Sequence, residues 1–130
     1  ISSRNKRVLS VLIVHALVKN FSHEEKPLSD IEISQKLAVP VRVIRQILYE
    51  LVECKLVSPL KAHNEKEISY QPASDIHKMT IQYVVEKLDY RGEKELKLHA
   101  TEVYKTINEA LRAFSEILDK NPLNKMLMDI

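Results

Sequence analysis

The sequence is poor in the residues that build tight turns, disulfide bonds and aromatic cores. Its 130 residues include one glycine, one cysteine, two phenylalanines and no tryptophan. A single cysteine excludes an internal disulfide and any site in which several cysteines hold a metal or a cluster. One glycine leaves no glycine-rich loop that could wrap around a phosphate group. Leucine, valine, isoleucine, glutamate and lysine are abundant instead, which favours a mainly helical domain.

Long hydrophobic runs and a strong charge of either sign are also missing. The longest apolar stretch, residues 8–18, is interrupted by polar residues and is much shorter than the roughly 20 residues of a membrane-spanning helix. The net charge is +2, and Arg4, Lys6 and Arg7 alone contribute +3, so the rest of the chain sums to −1. A strong nucleic-acid binder usually has a concentrated basic face, which this balance does not indicate.

Capping signals and the helical spacing of apolar residues predict where the helices lie. Ser29 and Glu32 form the Ser-x-x-Glu pattern of a capping box, which predicts a helix that begins just after Ser29. Pro40 suits the first turn of the next helix, and Thr80 and Thr101 are predicted N-caps. The predicted helices cover residues 5–19, 30–37, 40–53, 81–90 and 101–120, with a short last helix after Pro122.

Two short segments between the third and fourth helices predict a small antiparallel hairpin. They are residues 56–62 and 67–72, and the lack of glycine between them indicates a loop longer than two residues. Helix, short helix, three-residue turn, helix and hairpin is the element order of a winged helix-turn-helix, and residues 33–57 resemble that family. Glycine is common in that family where this chain has Ala38, in the turn, and Lys55, at the start of the wing.

The predicted fold is therefore mainly α: a winged helix-turn-helix with a two-stranded wing and appended C-terminal helices. It forms a single domain, residues 1–130, with a winged core in residues 1–79 and a helical extension in residues 80–130. The first helix has a second apolar face, formed by Val11, Val14 and Val18, that the winged core alone would leave in water. We expect the appended helices to cover this face, and a homodimer contact is the alternative.

The third helix of such a fold is the one that enters a DNA groove, and its residue types are suitable. Arginine hydrogen-bonds to guanine edges and glutamine to adenine edges. The alternative is a solvated helix face in a domain that contacts other proteins. Residues 29–57 contain four basic and four acidic residues, so we expect weak, sequence-indifferent DNA binding at most. The candidate nucleic-acid-binding residues are Arg42, Arg45, Gln46 and Tyr49 on this helix and Lys61 and Lys66 on the wing.

The sequence contains no pattern typical of a catalytic or metal site. The five histidines lack the His-x-x-x-His and His-x-His spacings of metal ligands. His15 lies on an almost wholly apolar helix and is interpreted as a hydrogen-bonded core residue, and Cys54 as a packed thiol. His63, in the wing loop, is interpreted as solvated, and Gly92 as the residue that ends the fourth helix. We predict no catalytic residue, no metal site, no cofactor and no enzyme activity.

Three segments and the tail of the chain resemble one particular family. They are similar to the cytosolic C-terminal extension of bacterial inner-membrane proteins of the BrkB/YihY family, which is labelled tRNA-processing ribonuclease BN. The resemblance carries no catalytic residue, because the histidine and aspartate clusters of a zinc nuclease are missing here. The matching segments are residues 45–52 (RQILYELV), 70–73 (YQPA), 75–80 (DIHKMT) and the tail 121–130.

The resemblance implies membrane-spanning helices upstream of Ile1, and because the chain begins without Met we interpret it as a piece of a longer protein. Arg4, Lys6 and Arg7 would then be membrane-proximal basic residues. The predicted function is a non-catalytic interaction or regulatory domain on the cytoplasmic side of a bacterial inner membrane. Its partners would be the membrane portion of the same protein and an unidentified protein, with weak nucleic-acid binding and a homodimer as further options. The alternative function is a winged helix-turn-helix transcriptional regulator that binds DNA.

Overall fold

The structure, a computed structural model, describes residues 1–61, 66–91 and 99–130. The predicted mainly α fold with appended C-terminal helices is confirmed. Two short 3-10 turns, Ile76–Lys78 and Leu127–Asp129, complete the regular structure of the described residues. The helices are α1 (Ser3–Ser22), α2 (Asp30–Leu37), α3 (Val41–Glu53), α4 (Ile81–Asp89) and α5 (Glu102–Lys120), and the strands are β1 (Leu28–Ser29), β2 (Val57–Lys61) and β3 (Ile68–Pro72).

The first helix is longer at both ends than its apolar spacing predicted. Ser2 caps its start, because the backbone amide of Asn5 donates to Ser2 Oγ at 3.1 Å. Neither proline nor glycine interrupts the chain, so α1 continues to Ser22. It ends in a turn in which Glu24 has a φ of 56°. Capping and the absence of a helix breaker therefore extend α1 beyond its apolar stripe.

The capping box predicted for α2 is present. The amide of Glu32 donates to Ser29 Oγ at 3.2 Å, and the amide of Ser29 donates to Glu32 Oε1 at 2.9 Å. α2 ends at Ala38, whose φ of 55° and ψ of 45° are left-handed. Lys55, at the start of the wing, has a φ of 61°. Glycine adopts this conformation at no steric cost, which explains why the family commonly has it at these two positions.

The wing contains one strand more than predicted. β2 and β3 form the predicted antiparallel hairpin, with Lys61 opposite Ile68. β1 pairs with the other edge of β3, with Leu28 opposite Tyr70, so the strand order is β1-β3-β2. A two-residue strand shows too little alternation of apolar and polar residues to be recognised in a sequence. The prediction of two strands was therefore incomplete.

The two helices after the wing begin at the predicted N-caps. The amides of Tyr83 and Tyr104 donate to the hydroxyls of Thr80 and Thr101 at 3.0 and 3.1 Å. α4 ends at Asp89, one residue before the predicted last residue, Tyr90, and Gly92, the predicted capping residue, lies outside the described residues. Threonine hydroxyls thus satisfy one of the unpaired amides that begin each helix.

The C-terminal segment pairs with the start of α4 and does not form the predicted short helix. The amide of Leu127 donates to the carbonyl of Met79 at 2.9 Å, and the amide of Ile81 donates to the carbonyl of Lys125 at 3.1 Å. Thr80 and Met126 form the β-bridge between these two hydrogen bonds. The first amides of α4 have no partner within the helix. The chain end supplies one, which favours an extended segment and a 3-10 turn over another helix.

One apolar core joins the winged elements to the C-terminal segment. Val14 and Val18 of α1 are fully buried, and α4 and the last 3-10 turn both contact α1. Val84 and Leu127 belong to the same buried cluster. The predicted cover of the second face of α1 is confirmed for α4 and wrong for α5, which contributes no buried residue. The division of the chain at residues 79 and 80 stays a prediction.

Candidate nucleic-acid interface

The third helix presents a polar face on the side opposite the core. Ile44, Ile47, Leu48 and Leu51 are buried, which fixes the rotation of α3 about its axis. Residues three and four positions apart are neighbours on a helix surface. The structure therefore brings four of the predicted residues together on the solvent side of α3. These are Arg42, Arg45, Gln46 and Tyr49, and all four are exposed.

The two arginines of this face have different surroundings. Arg45 Nε donates a hydrogen bond to Asp30 Oδ2 at 2.6 Å, which links the first residue of α2 to the middle of α3. The other carboxylate oxygen, Asp30 Oδ1, accepts from the amide of Ile31 at 2.7 Å. Arg42 makes no hydrogen bond or ion pair with any residue in 1–61, 66–91 or 99–130. Asp30 was not among the residues predicted for this surface.

The two predicted wing lysines flank the tip of the hairpin. Lys61 is the last residue of β2 and Lys66 lies just before β3, and both are exposed. Lys66 also lines a shallow depression of about 260 Å³, together with Glu32 at the start of α2. The loop between the lysines, including His63, lies outside the described residues. Lys66 therefore lies near the start of α2, and Lys61 adds a second exposed cation to the wing.

Cations from other parts of the chain neutralise the acidic residues of α3. Glu50 is only 9% exposed; it contacts Lys6 Nζ, and Arg91 Nη1 lies 3.7 Å from Glu50 Oε1. Arg91 Nη2 also lies 2.5 Å from Glu53 Oε2. The balance of four basic and four acidic residues in 29–57 leaves out Lys6 and Arg91, and including these two partners gives +2. The neutrality of the segment is therefore a poor measure of the charge that a ligand would meet.

The three basic residues near the start of the chain belong to the first two turns of α1. Lys6 pairs with Glu50 of α3, and Arg7 Nη2 lies 3.2 Å from Asp89 Oδ1 of α4. Arg4 is exposed. Lys6 and Arg7 thus join α1 to two other helices of the same domain.

The structure does not gather a catalytic cluster among the residues it describes. No three His, Cys, Asp or Glu side chains in those ranges lie close enough to hold a metal ion. His15 Nε2 is buried without a hydrogen-bond partner in the described residues, so the predicted core hydrogen bond is wrong. Burial lowers the pKa of His15, and the positive charges of Lys19 and Lys36 lower it further. Burial raises the pKa of the Cys54 thiol, although Arg91 opposes the rise.

A long exposed apolar surface lies on α5, a helix that was expected from the sequence to help cover the core. Phe114 is 57% exposed and Ile117 is 63% exposed. The stripe repeats every three or four residues along the helix, the spacing of a helix that packs against another element. We call it the α5 stripe. Its exposed members are Val103, Ile107, Leu111, Phe114, Ile117 and Leu118.

Comparison with solved structures identifies the architecture. The chain is similar to IscR of T. potens, with a TM-score of 0.62 and 19% identity over 99% of this chain and 86% of that one. It is similar to CymR, the global cysteine regulator of B. subtilis, with a TM-score of 0.64 and 20% identity over 99% of this chain and 93% of that one. The chain has a winged-helix fold. CymR of Staphylococcus aureus matches with a TM-score of 0.61 and 16% identity, over 97% of both chains.

No protein-family model and no curated protein matches the sequence. The resemblance to the BrkB/YihY family is nevertheless wrong, because the winged-helix chain matches regulator structures over nearly its whole length. The inner-membrane location, the ribonuclease BN and tRNA-processing assignment and the role as the tail of a membrane protein are wrong with it. Within the described ranges, no helix combines the length and the apolar character needed to cross a membrane.

Proposed function

We propose that this chain is a winged-helix transcriptional regulator that binds duplex DNA through α3 and the wing. The observation that carries the proposal is the outer face of α3, where Arg42, Arg45, Gln46 and Tyr49 are all exposed. Arginine and glutamine are the side chains that form paired hydrogen bonds with guanine and adenine edges in the major groove. In helix-turn-helix proteins it is this helix that enters that groove.

The charge around this face supports contact with the DNA backbone. Lys61 and Lys66 at the wing tip are exposed and suited to phosphate contacts, which fix the position of a protein on the duplex. Glu50 and Glu53, which would repel phosphates, are paired with Lys6 and Arg91. The similarity to CymR, which is named the global cysteine regulator of B. subtilis, supports the proposal.

We also propose that the regulator is a homodimer in which the α5 stripe packs against the α5 stripe of a second copy. A monomer rarely leaves so long an apolar surface in water. The stripe is self-complementary, which suits a two-fold symmetric interface. α5 has Glu102 in its first turn and Lys120 in its last, so antiparallel packing brings opposite charges and opposite helix-dipole ends together.

We infer further that the chain is not a nuclease. Its half-buried His15 and its Cys54 thiol, whose pKa burial raises, lack the acid–base partners of a catalytic site in the described residues. The test is to incubate the purified protein with precursor tRNA, with and without Zn²⁺ or Mg²⁺. Intact RNA is expected, and cleavage that one histidine substitution abolishes would contradict the inference.

Selection from a pool of randomised duplexes tests the DNA-binding proposal. The selected duplex and a scrambled duplex of the same composition are then titrated by fluorescence anisotropy at several salt concentrations. We expect tighter binding to the selected duplex, with affinity that falls as salt rises because bound cations are released. Arg42→Ala should weaken binding, while Glu109→Ala on the exposed surface of α5 serves as a control. Equal binding of wild-type protein to both duplexes would contradict the proposal.

A further inference from the structure

Asp30 lies next to the proposed DNA-reading face but points its carboxylate at one residue of that face. The hydrogen bond from Arg45 Nε to Asp30 Oδ2 is 2.6 Å long and joins residues 15 positions apart. It therefore depends on the crossing of α2 and α3 and not on local helix geometry. Arg42, one turn earlier on the same face, has no such partner in the described residues.

The Asp30 carboxylate is itself fixed in place. Its Oδ1 accepts a hydrogen bond from the amide of Ile31, and the side chain is only 22% exposed. The start of α2 is rigid because Ser29 and Glu32 form the capping box there. A negative charge in the first turn also interacts favourably with the helix dipole. Asp30 thus provides Arg45 with a hydrogen-bond acceptor that the backbone amide of Ile31 holds in place.

Tyr70 of β3 lies near the same contact, because Leu28, two residues before Asp30, is opposite Tyr70 in the sheet. Burial raises the pKa of the Tyr70 hydroxyl, and the nearby negative charge of Asp30 raises it further, while Arg45 lowers it. The Arg45 side chain is 58% exposed, so the donors that Asp30 does not use are open to solvent.

The pairing leaves Arg45 able to contact a base. A guanidinium has five N–H donors, and a carboxylate that binds it in the two-bond mode takes two of them. At least three donors remain for the O6 and N7 atoms of guanine, the usual target of arginine in the major groove. A second ligand is therefore compatible with the hydrogen bond to Asp30.

We propose that Asp30 is a positioning residue for Arg45, holding its guanidinium in the orientation that reads a base and so setting sequence selectivity. The inference rests on the proposed DNA-binding function. A pre-ordered arginine loses little side-chain entropy on meeting its base, whereas an unrestrained one loses much more. Non-selective binding to phosphates needs no fixed orientation. Asp30 should therefore affect the ratio of selective to non-selective affinity more than the affinity itself.

The test compares the affinity ratio, selected over scrambled duplex, for wild-type protein, Asp30→Asn, Arg45→Ala and the double variant. Removing the charge of Asp30 strengthens attraction to every duplex alike, so this effect cancels in the ratio. We expect Arg45→Ala and Asp30→Asn each to lower the ratio. For Asp30→Asn the decrease should be about 10-fold, because binding must then order the long Arg45 side chain and this costs entropy. The double variant should have the same affinity ratio as Arg45→Ala, because Asp30 acts only through Arg45.

Glu67→Gln is the matched control, because Glu67 is an exposed carboxylate of the wing, just before β3, and forms no ion pair or hydrogen bond with Arg45 in the described residues. It should raise both affinities and leave the ratio unchanged. The NMR signal of Arg45 Nε–H in the protein without DNA provides a second readout. We expect slow exchange of this proton with solvent in wild-type protein and fast exchange in Asp30→Asn. Thermal unfolding checks that all four variants are folded.

The outcomes separate the two proposals. If Arg45→Ala lowers the ratio of selected to scrambled affinity and Asp30→Asn leaves it unchanged, the positioning role is overturned while the DNA-binding proposal stands. A ratio that rises in Asp30→Asn means that Asp30 competes with DNA for Arg45, which also overturns it. Wild-type protein that binds both duplexes equally overturns the proposed function, and the inference with it.

Discussion

Replacing Phe114 by alanine tests whether the α5 stripe is the dimer interface. Phe114 is 57% exposed in the single chain, so a partner copy has more than half of this side chain left to bury. Full burial of a phenylalanine stabilises by about 1.5–3 kcal/mol, which scales to about 1–2 kcal/mol for the exposed part. A two-fold dimer contains the residue twice, so Phe114→Ala should destabilise the dimer by about 2–4 kcal/mol. At about 1.4 kcal/mol per factor of ten, the dimer dissociation constant should rise by about 30- to 700-fold.

Sedimentation equilibrium over a range of protein concentrations measures this constant directly. Glu116→Ala is the matched control, since Glu116 is exposed on the opposite side of α5 and should leave association unchanged. Phe114 is not part of the monomer core, so the variant should keep the circular-dichroism spectrum of the wild type. Wild-type protein that stays monomeric at all concentrations, or a variant that associates as tightly as wild type, would refute the reasoning.

Three further predictions concern stability. Glu50→Gln should lower the free energy of unfolding in urea by about 1–3 kcal/mol. This is less than the loss expected for a fully buried ion pair, because the side chains of Lys6 and Arg91 are about one third exposed. As the control, Glu53→Gln should lower the free energy of unfolding by under about 1 kcal/mol. The pKa of His15 is lower in the folded chain than in the unfolded chain, so the unfolded chain binds the proton first as the pH falls. The free energy of unfolding should therefore decrease as the pH drops below 6.5. His15→Gln should make this dependence of stability on pH weaker. Ala38→Gly should raise the thermal midpoint, because alanine is strained in the left-handed conformation of this position and glycine is not. Removing the strain stabilises the fold by about 1–2 kcal/mol, and the larger backbone entropy that glycine loses on folding offsets about 0.5–1 kcal/mol of this. No rise would mean that the turn tolerates alanine without strain.

Signals carried by a few neighbouring residues predicted most of the helices. Ser29 and Glu32 were sufficient for the start of α2, and Thr80 and Thr101 for the starts of α4 and α5. In each case a side-chain oxygen satisfies an amide three residues later, so the information lies within one helical turn. β1 carries no comparable signal, because its two residues become a strand only through pairing with β3.

Long-range contacts were not predictable in the same way. The α5 stripe has the same spacing whether it packs against its own chain or against another one, so the sequence could not distinguish a core helix from an exposed one. The pairing of Asp30 with Arg45 depends on how α2 and α3 cross. From the sequence, Arg45 was a candidate nucleic-acid contact, and Asp30 was only one of the four acidic residues in 29–57. Four residues of the candidate DNA-binding face were predicted because they share one helix and one spacing, and their role stays a prediction.

The family resemblance failed in part because the apolar residues of its segments serve packing. Ile47, Leu48 and Leu51 in the first segment are buried, as are Ile76 and Met79 in the third. A winged helix of any function needs apolar side chains at such positions. Similarity there indicates a shared architecture and does not distinguish one function from another.

The position of the C-terminal 3-10 turn on α1 has a consequence for how the chain acquires its structure. Leu127 is 1% exposed, and the carbonyl of Met128 accepts a hydrogen bond from Lys19, 109 residues earlier. During synthesis, α1, α2, α3 and the wing emerge long before residue 127, and until then the valine face of α1 has only part of its cover. Closing so long a loop is entropically costly and slows folding. Until residue 127 has emerged, the nascent winged module therefore exposes part of this apolar surface to chaperones, and a stop codon shortly before Leu127 would leave that part exposed permanently.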